Sequence, residues 1–325
     1  MIEEQPITEG TLVLEPGTLW RKLKAQTEHA IECKALHSIA TEYEFVEQEG
    51  IRFLVRILSN LVRKDKAKKK QEEKNATSSK DFNPFLPYEQ DLFVADLSDT
   101  HLCLLNKYNV VDHHLLIITR AFEEQDTWLT LQDFAAMWAC LGEIDGLAFY
   151  NAGTIGGASQ RHKHLQLVPL PLAPEGVNIP IENAIASANF QDSVGTIPTL
   201  PFIHAIAQLD PTWVKSPWDA AQATLKLYQR LLSAVGLPWN NVNGNKQSGA
   251  YNLLATRQWM LLLPRSQADF QSIGVNSLGF AGALLVRNQE QMKRLKDHGP
   301  MTILQNVARS EEHTSELQSP DHLVC

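Results

Sequence analysis

Cysteine is scarce and scattered. Cys33, Cys103, Cys140 and Cys325 are the four in 325 residues, and no two form a CxxC pair. Neither a structural zinc site nor a disulfide framework is expected. Positive charge is not in surplus: 29 Lys and Arg stand against 37 Asp and Glu, a formal net charge of -8. That balance disfavours sequence-blind binding to a nucleic-acid backbone. A small polyanion is still accessible wherever a few cations gather. No run of about 18 apolar residues is present, which speaks against a membrane-spanning helix. The start, Met-Ile-Glu-Glu-Gln-Pro, has neither the basic nor the apolar region of a secretory signal. The expected location is cytoplasmic.

What is present suits a globular chain. Hydrophobic residues make up 44% and charged residues 20%, enough for a large core or two packed halves. Residues 17–45 carry apolar positions at helical spacing and predict a helix. Residues 51–58 (IRFLVRIL) predict a strand. Residues 63–80 hold many lysines and almost nothing apolar, as a solvated loop does. Two prolines in 82–88 exclude a helix there. Strands are expected at 91–97, 101–106, 114–119, 147–151 and 162–170, with a helix from Leu131 to Leu141. Prolines at 169, 171, 174 and 180 suggest a crossover between halves. Beyond it, 217–235 reads as helix, 250–255 and 258–263 as a hairpin, and 279–286 as a strand or short helix. The stretches 101–120 and 250–265 each show two apolar runs around a polar turn and a closing Arg, a weak sign of duplication. From Arg309 onward the sequence has no periodicity and resembles a translated sequencing-library adapter. Residues 309–325 are therefore expected to be a non-native disordered tail, and His313, His322 and Cys325 carry no function.

The chemistry concentrates in 149–170, FYNAGTIGGASQRHKHLQLVPL. On a strand over 162–168, His162, His164 and Gln166 share one face, and Lys163, Leu165 and Leu167 share the other. Small residues just upstream let backbone N–H groups approach a phosphate and form an anion nest. A neutral imidazole is a nucleophile for phosphorus at neutral pH, and the Gln166 amide is a donor whose charge does not change with pH. Two histidines at this spacing could also bind zinc. No nearby Cys or carboxylate completes a set of about four ligands, so no metal ligands are assigned.

HKHLQLVPLP resembles the modified histidine-triad signature of the diadenosine tetraphosphate phosphorylases, also called ATP adenylyltransferases. They belong to the histidine-triad superfamily, beside galactose-1-phosphate uridylyltransferase. NPFLPYEQDL (83–92), LLNKYNVVDHHLLIITR (104–120), FYNAGTIGGASQRHKHLQ (149–166) and VNSLGFAGALLVR (275–287) are similar to that family in the same order. The resemblance implies an α+β fold of two histidine-triad-like halves, antiparallel sheets with flanking helices. Residues 1–175 would form the catalytic half and 176–308 the adenylyltransferase half.

It further implies that His164 is the nucleophile that takes up AMP. His162 would orient His164 or the phosphates, and its carbonyl could fix the His164 tautomer. Gln166 would contact phosphate. Asn151, Gly157, Ala158, Ser159 and Gln160 would line the polyphosphate, and Asn106 and Lys107 would meet the ribose. Asn276, Ser277, Leu278, Ala283 and Arg287 would add substrate contacts from the second half, and Lys64 would reach distal phosphates. Plainer roles stay open: Asn106 as a turn residue, Gly157 as a turn glycine, Leu278 and Ala283 as core, Arg287 as a surface cation. His113 and His114 read as structural.

The implied reaction is reversible phosphorolysis of diadenosine tetraphosphate to ATP and ADP through adenylyl-histidine. Magnesium would arrive on the nucleotide. The implied partners are nucleotides and inorganic phosphate, with no nucleic acid or membrane. Alternatives are a hexose-1-phosphate uridylyltransferase, a dinucleotide hydrolase, or a sensor that binds without turnover. Nothing in the sequence fixes an oligomeric state.

Overall fold

A computed structural model describes residues 11–58, 83–239 and 244–310. Lys64 and 311–325 lie outside the described residues. The first element, α1 (Leu19–Glu32), buries Leu19, Leu23, Thr27 and Ala30. It stops well short of the helix expected through residue 45. Lys34 takes a left-handed φ of 63°, and residues 41–48 form strand β1 (Thr41–Gln48) instead. Thr41, Tyr43, Phe45 and Val46 supply the β-branched and aromatic character of a strand. The two-residue turn Glu49-Gly50, with φ of 51° and 76°, returns the chain into β2 (Ile51–Leu58) in the manner of a tight hairpin.

Next come β3 (Phe93–Asp96), β4 (His101–Leu105), β5 (Leu115–Thr119), β6 (Gly146–Asn151) and β7 (His164–Pro169), with helix α2 (Leu131–Glu143) between β5 and β6. A reciprocal capping box of Thr130 and Asp133 starts α2. Then follow α3 (Glu182–Ile185), β8 (Asn189–Gln191), β9 (Val194–Thr196), β10 (Ala205–Gln208), α4 (Pro217–Ala234), β11 (Tyr251–Ala255) and β12 (Trp259–Pro264). The last described elements are β13 (Asp269–Phe270), β14 (Ile273–Gly274), α5 (Ser277–Phe280), β15 (Ala283–Val286), α6 (Gln289–His298) and α7 (Pro300–Val307). The fold is α+β.

Ten strands make one sheet in the order β3-β4-β5-β7-β6-β11-β12-β10-β9-β8. The order is a palindrome of topology. The first motif, β3-β4-β5-α2-β6-β7, is repeated as β8-β9-β10-α4-β11-β12, and the two meet at β6 and β11. Asn151 lies opposite Asn252 at that junction, and each follows a tyrosine, Tyr150 and Tyr251. The duplication is real in topology, but its register differs from the echo in the sequence. The hairpin β4–β5 corresponds to β9–β10, whereas the 250–265 stretch forms β11–β12, the counterpart of β6–β7. Two apolar runs around a turn describe any buried hairpin, so that similarity could not fix the pairing.

One face of the sheet is covered by α1, α2 and α4 in a continuous core that includes Phe134, Trp138, Tyr150 and Tyr228. Trp138 Nε1 donates to Thr224 Oγ1 at 2.8 Å, tying α2 to α4. On the other face, β6, β11, β12 and β10 are covered by a small sheet, β1-β2-β15, with α5, α6 and α7. The parallel pair β15–β2 (Ala283 opposite Leu54) brings C-terminal residues back onto the N-terminal hairpin. The cover is incomplete over β4, β5 and β7, where a smaller cluster of Phe85, Leu102, Leu104, Leu116 and Ile118 is found. Against that stretch lies a cavity of about 540 Å³, walled on its far side by Leu54, Arg56 and Ala283–Leu285. Arg309 still belongs to the folded body: its N–H donates to the Pro264 carbonyl and its own carbonyl accepts from Ile203 N. The expected tail therefore does not begin at 309.

Candidate active site

His164 opens β7 and lines the cavity. Its Nδ1 is 2.8 Å from the His162 carbonyl. A carbonyl only accepts, so Nδ1 carries the proton and Nε2 keeps its lone pair. Nε2 has no hydrogen-bond partner among the described residues. Burial pushes the His164 pKa down to about 4, against the His162 carbonyl, which favours the charged form. The imidazole is therefore neutral through the physiological range. The Phe85 ring packs edge-on at 5.5 Å.

The strands around His164 part, and one side chain holds them. The β6–β7 ladder stops at Phe149 opposite Gln166; two positions further on, its register would set Asn151 opposite His164. The Gln125 amide stands there instead. It donates to the Asn151 carbonyl (3.0 Å) and the His164 carbonyl (3.1 Å), and it accepts from His164 N (2.8 Å). Backbone groups released by the splay stay satisfied while the glycine-rich loop leaves the sheet.

His162 precedes the strand, contrary to the 162–168 expectation, and forms an isolated bridge with Glu124. It is buried, but its ring does not line the cavity. Nε2 meets the Thr119 carbonyl at 2.8 Å and Nδ1 meets Asn83 Nδ2 at 3.0 Å. Phe85 and Phe122 flank it edge-on, and burial lowers its pKa. Its contact with His164 is through the backbone carbonyl. Lys163, on the supposedly apolar opposite face, is 1% exposed and lies 2.7 Å from Asp133. Burial alone would neutralise both. The pairing outweighs it: Lys163 stays above its ordinary value, and Asp133, which also meets His101, well below.

Gln166 lines the cavity, and its Oε1 accepts from His114 Nε2 at 3.0 Å. Asn106 Nδ2 in turn donates to His114 Nδ1 at 3.1 Å. This chain fixes both orientations: His114 must carry its proton on Nε2, and Gln166 must turn its NH2 group to the cavity. Burial lowers His114 to about 4, so it stays neutral. His114 thus positions the triad glutamine. Asn106 serves its turn as well, accepting from Tyr108 N at 3.3 Å. Lys107 lines the cavity and pairs with Glu89 at 2.5 Å.

The loop between β6 and β7 corrects the simple nest. Gly157 N and Ala158 N donate to Thr154 O (2.9 Å) and Gly153 O (3.1 Å), so these two amides close the turn. Gly157, Ser159 and Gln160 line the cavity; Ala158 is not among its walls. Gly157 has φ +94°, and a Cβ there would stand 2.8 Å from the Val275 carbonyl. Glycine is required both for conformation and for close packing.

The second half braces this loop. Asn151 Oδ1 accepts from Ser277 N (2.9 Å), Ser277 Oγ (2.7 Å) and Asn252 Nδ2 (2.9 Å), which leaves the Asn151 NH2 to face the cavity. Ser277 is fully buried and acts through Asn151 rather than as a cavity wall. Arg265 is also buried. It donates to Asn252 Oδ1 (2.6 Å), Val275 O (2.9 Å) and Gly156 O (3.3 Å), with further bonds to Gln267 and Val307 carbonyls. Among the described residues no carboxylate pairs with it, and burial lowers its pKa to about 10. Asn276, which caps α5, Leu278 and Ala283 are cavity walls. Arg287 lies outside the cavity wall, exposed just beyond β15.

Sequence reasoning missed Gln125, Asn83, Thr119, Asn252, Arg265 and Arg56. Asn83 and Arg265 had signals, in the NPFLPYEQDL segment and in the closing arginine of the echo. Arg56 lines the cavity and donates to Thr41 Oγ1 and the Leu172 carbonyl; its place in an ordinary strand pattern gave no sign of this.

Comparison with known proteins places this architecture. A family model described as the Ap4A phosphorylase N-terminal domain matches residues 9–187, and one described as the ATP adenylyltransferase C-terminal domain matches 198–310. Diadenosine 5',5'''-P1,P4-tetraphosphate phosphorylase 2 of Saccharomyces cerevisiae is 29% identical over 245 residues, 68% of this chain and 74% of the relative. The crystal structure of yeast Ap4A phosphorylase Apa2 has a TM-score of 0.72 at 23% identity, covering 91% of this chain and 98% of that one. The same enzyme in complex with Ap4A is equally similar in fold. With more than half its length matched by the first of these family models, the chain belongs to the Ap4A phosphorylase family.

Proposed function

We infer that this protein phosphorolyses diadenosine tetraphosphate, with His164 Nε2 as the atom that carries AMP. The observation that carries the reading is the His164–His162 pair: one nitrogen is locked as donor to a carbonyl and the other, neutral by burial, lines a cavity of about 540 Å³. That volume is within the usual range for a small-molecule site. In the first step the Nε2 lone pair attacks an α-phosphorus. The P–N bond forms, the bond from that phosphorus to the bridging oxygen breaks, and ATP leaves with the electron pair. In the second step an oxygen of inorganic phosphate attacks the same phosphorus. The P–N bond breaks, ADP forms and His164 returns to its starting state. The division of a difficult displacement into two is the gain of nucleophilic catalysis.

Gln166 and Asn151 turn NH2 groups to the cavity, where they donate to non-bridging oxygens as charge shifts in the transition state. Ser159 and Gln160 extend that polar wall. The apolar wall of Ile39, Leu104, Leu105, Tyr108, Val110 and Val111 suits an adenine. Asn106 and Lys107 lie between as ribose contacts. Asn276 and Leu278 take the substrate from the other side. We assign Arg287 to the distal phosphates, because it follows β15, whose Val286 pairs with Ile57 near the end of β2, and we give Lys64, outside the described residues, the same role on the family resemblance alone. In this reading 1–175 carries the chemistry and 176–308 braces it, magnesium comes with the nucleotide rather than with the protein, and the site of action is the cytoplasm.

Product analysis with diadenosine tetraphosphate tests the reading. ATP and ADP formed only in the presence of inorganic phosphate support it. Cleavage without phosphate means a hydrolase, turnover of a UDP-sugar a uridylyltransferase, and binding without turnover a sensor. His164→Ala should abolish both turnover and the covalent AMP that forms when phosphate is withheld.

A further inference from the structure

Away from the cavity, α1 carries a second convergence of reactive side chains. His29 and Cys33 are four residues apart at its C-terminal end, a spacing that puts both on one face. Asp91, far along the chain, sits in the short 3-10 turn Gln90–Leu92 packed alongside. One donor atom from each lies within 4.8 Å of the other two, and all three residues are exposed. His29 Nε2 and Asp91 Oδ1 are already 2.8 Å apart. Among the described residues no other three His, Cys, Asp or Glu side chains converge in this way.

An imidazole nitrogen, a thiolate sulfur and a carboxylate oxygen make a borderline-soft donor set. It matches zinc far better than magnesium or calcium, which take oxygen ligands. Bonds of about 2.0–2.3 Å around a tetrahedral ion separate its ligands by roughly 3.5 Å. Closure on an ion therefore asks the His29–Asp91 pair, at 2.8 Å, to open and the longer separations, up to 4.8 Å, to contract, each by on the order of 1 Å and within reach of exposed side-chain rotation. We propose that His29, Cys33 and Asp91 form a three-ligand site for a zinc-class divalent cation, with water as fourth ligand.

On binding, the metal–sulfur bond forms as the Cys33 thiol gives its proton to solvent, and the His29–Asp91 hydrogen bond gives way to two metal bonds. No oxidant or reductant takes part. The position gives the site a purpose. Gln26 Nε2 already holds the Asp91 carbonyl at 2.7 Å. The turn leads directly to Glu89 and Leu92, which wall the cavity, in the same segment as Phe85 against His164. A metal clip here would fasten that wall to α1, which is itself anchored in the core by Leu19, Leu23 and Ala30. The scattered cysteines argued against zinc because the ligands come from two segments; only folding brings Asp91 to Cys33.

The test uses the full chain, stripped with a chelator and titrated with cobalt(II), then with zinc. We expect one equivalent of cobalt to produce a thiolate-to-cobalt charge-transfer band that zinc displaces. Cys33→Ser should remove the band. His29→Ala and Asp91→Asn should each weaken zinc binding by at least about tenfold, since even outer-shell partners of metal ligands are worth that much. Cys325→Ser should leave the band intact. The proposal is overturned if no band develops at one equivalent, if the band survives Cys33→Ser, or if Cys325→Ser removes it. None of these readings depends on turnover, so they stand apart from the assigned activity.

Discussion

The acid limb of the adenylylation step follows from the environment of His164. Burial holds this imidazole at about 4, against about 6.5 for an ordinary histidine. At pH 5.5 the buried group is about 97% neutral, and an ordinary one would be about 9% neutral. The rate of AMP transfer to His164 should therefore stay nearly flat between pH 7 and 5.5, where a solvent-exposed nucleophile would lose about tenfold. The measurement is single-turnover transfer without inorganic phosphate, whose own ionisation would otherwise intrude. Alkaline quenching and intact-mass detection suit an acid-labile phosphoramidate. The same shift sets a stability window. The unfolded chain binds protons on His164 and His114 below about pH 6.5 while the folded one does not until about 4. Their contribution is complete above about 6.5 and declines as the pH falls toward about 4, by on the order of 3 kcal/mol each. Circular dichroism at each pH separates unfolding from loss of nucleophile. A titration midpoint near 6.5 in the folded protein would refute the burial argument outright.

Two substitutions probe the groups that hold the site. His114→Ala should lower kcat by about 10–100-fold with little change in KM, because Gln166 loses the partner that turns its NH2 to the phosphate; an unchanged kcat would mean that Gln166 needs no such hold. Arg265→Met should destabilise the fold by about 3–5 kcal/mol in denaturant titration, since several buried carbonyls and Asn252 Oδ1 lose their donor at once. A loss below about 1 kcal/mol would mean that water replaces the guanidinium.

His164 and its neighbours were legible in the sequence because the triad is local. His162, His164 and Gln166 lie within five residues, and strand alternation predicts that His164 and Gln166 share a face. Strands with strong apolar patterns, such as 51–58 and 114–119, were legible for the same reason. Three kinds of feature were not. The extension of α1 into 33–45 failed because a turn at Lys34 and a half-buried strand share a composition with the exposed side of a helix. The Gln125 plug and the His114–Gln166 bond join residues about 40 and 50 positions apart, and no local rule pairs an isolated Gln or His with a partner at that distance. The amides of Gly157 and Ala158 were assigned to phosphate because glycine content reports conformational freedom, not which acceptor an N–H finds first.

The palindromic sheet also accounts for there being one triad and not two. Asn151 and Asn252 face each other where the motifs meet. Counting outward from them, Phe149 stands opposite Gln166 in the first motif, and Ala250 pairs with Arg265 in the second. Arg265 is thus the counterpart of Gln166, and Leu263, opposite Asn252, is the counterpart of His164. The second motif has leucine where the first has His164. Its remaining polar position is a buried cation that binds not a ligand but the Gly156 and Val275 carbonyls and Asn252. Those groups hold the loop and Asn151 of the first motif. A position that in one motif lines the cavity has, in its twin, become the brace behind the glycine-rich loop. Repeated topology therefore yields a single asymmetric cavity, to which one half brings His164 and Gln166 while the other braces Asn151 and the glycine-rich loop beside them.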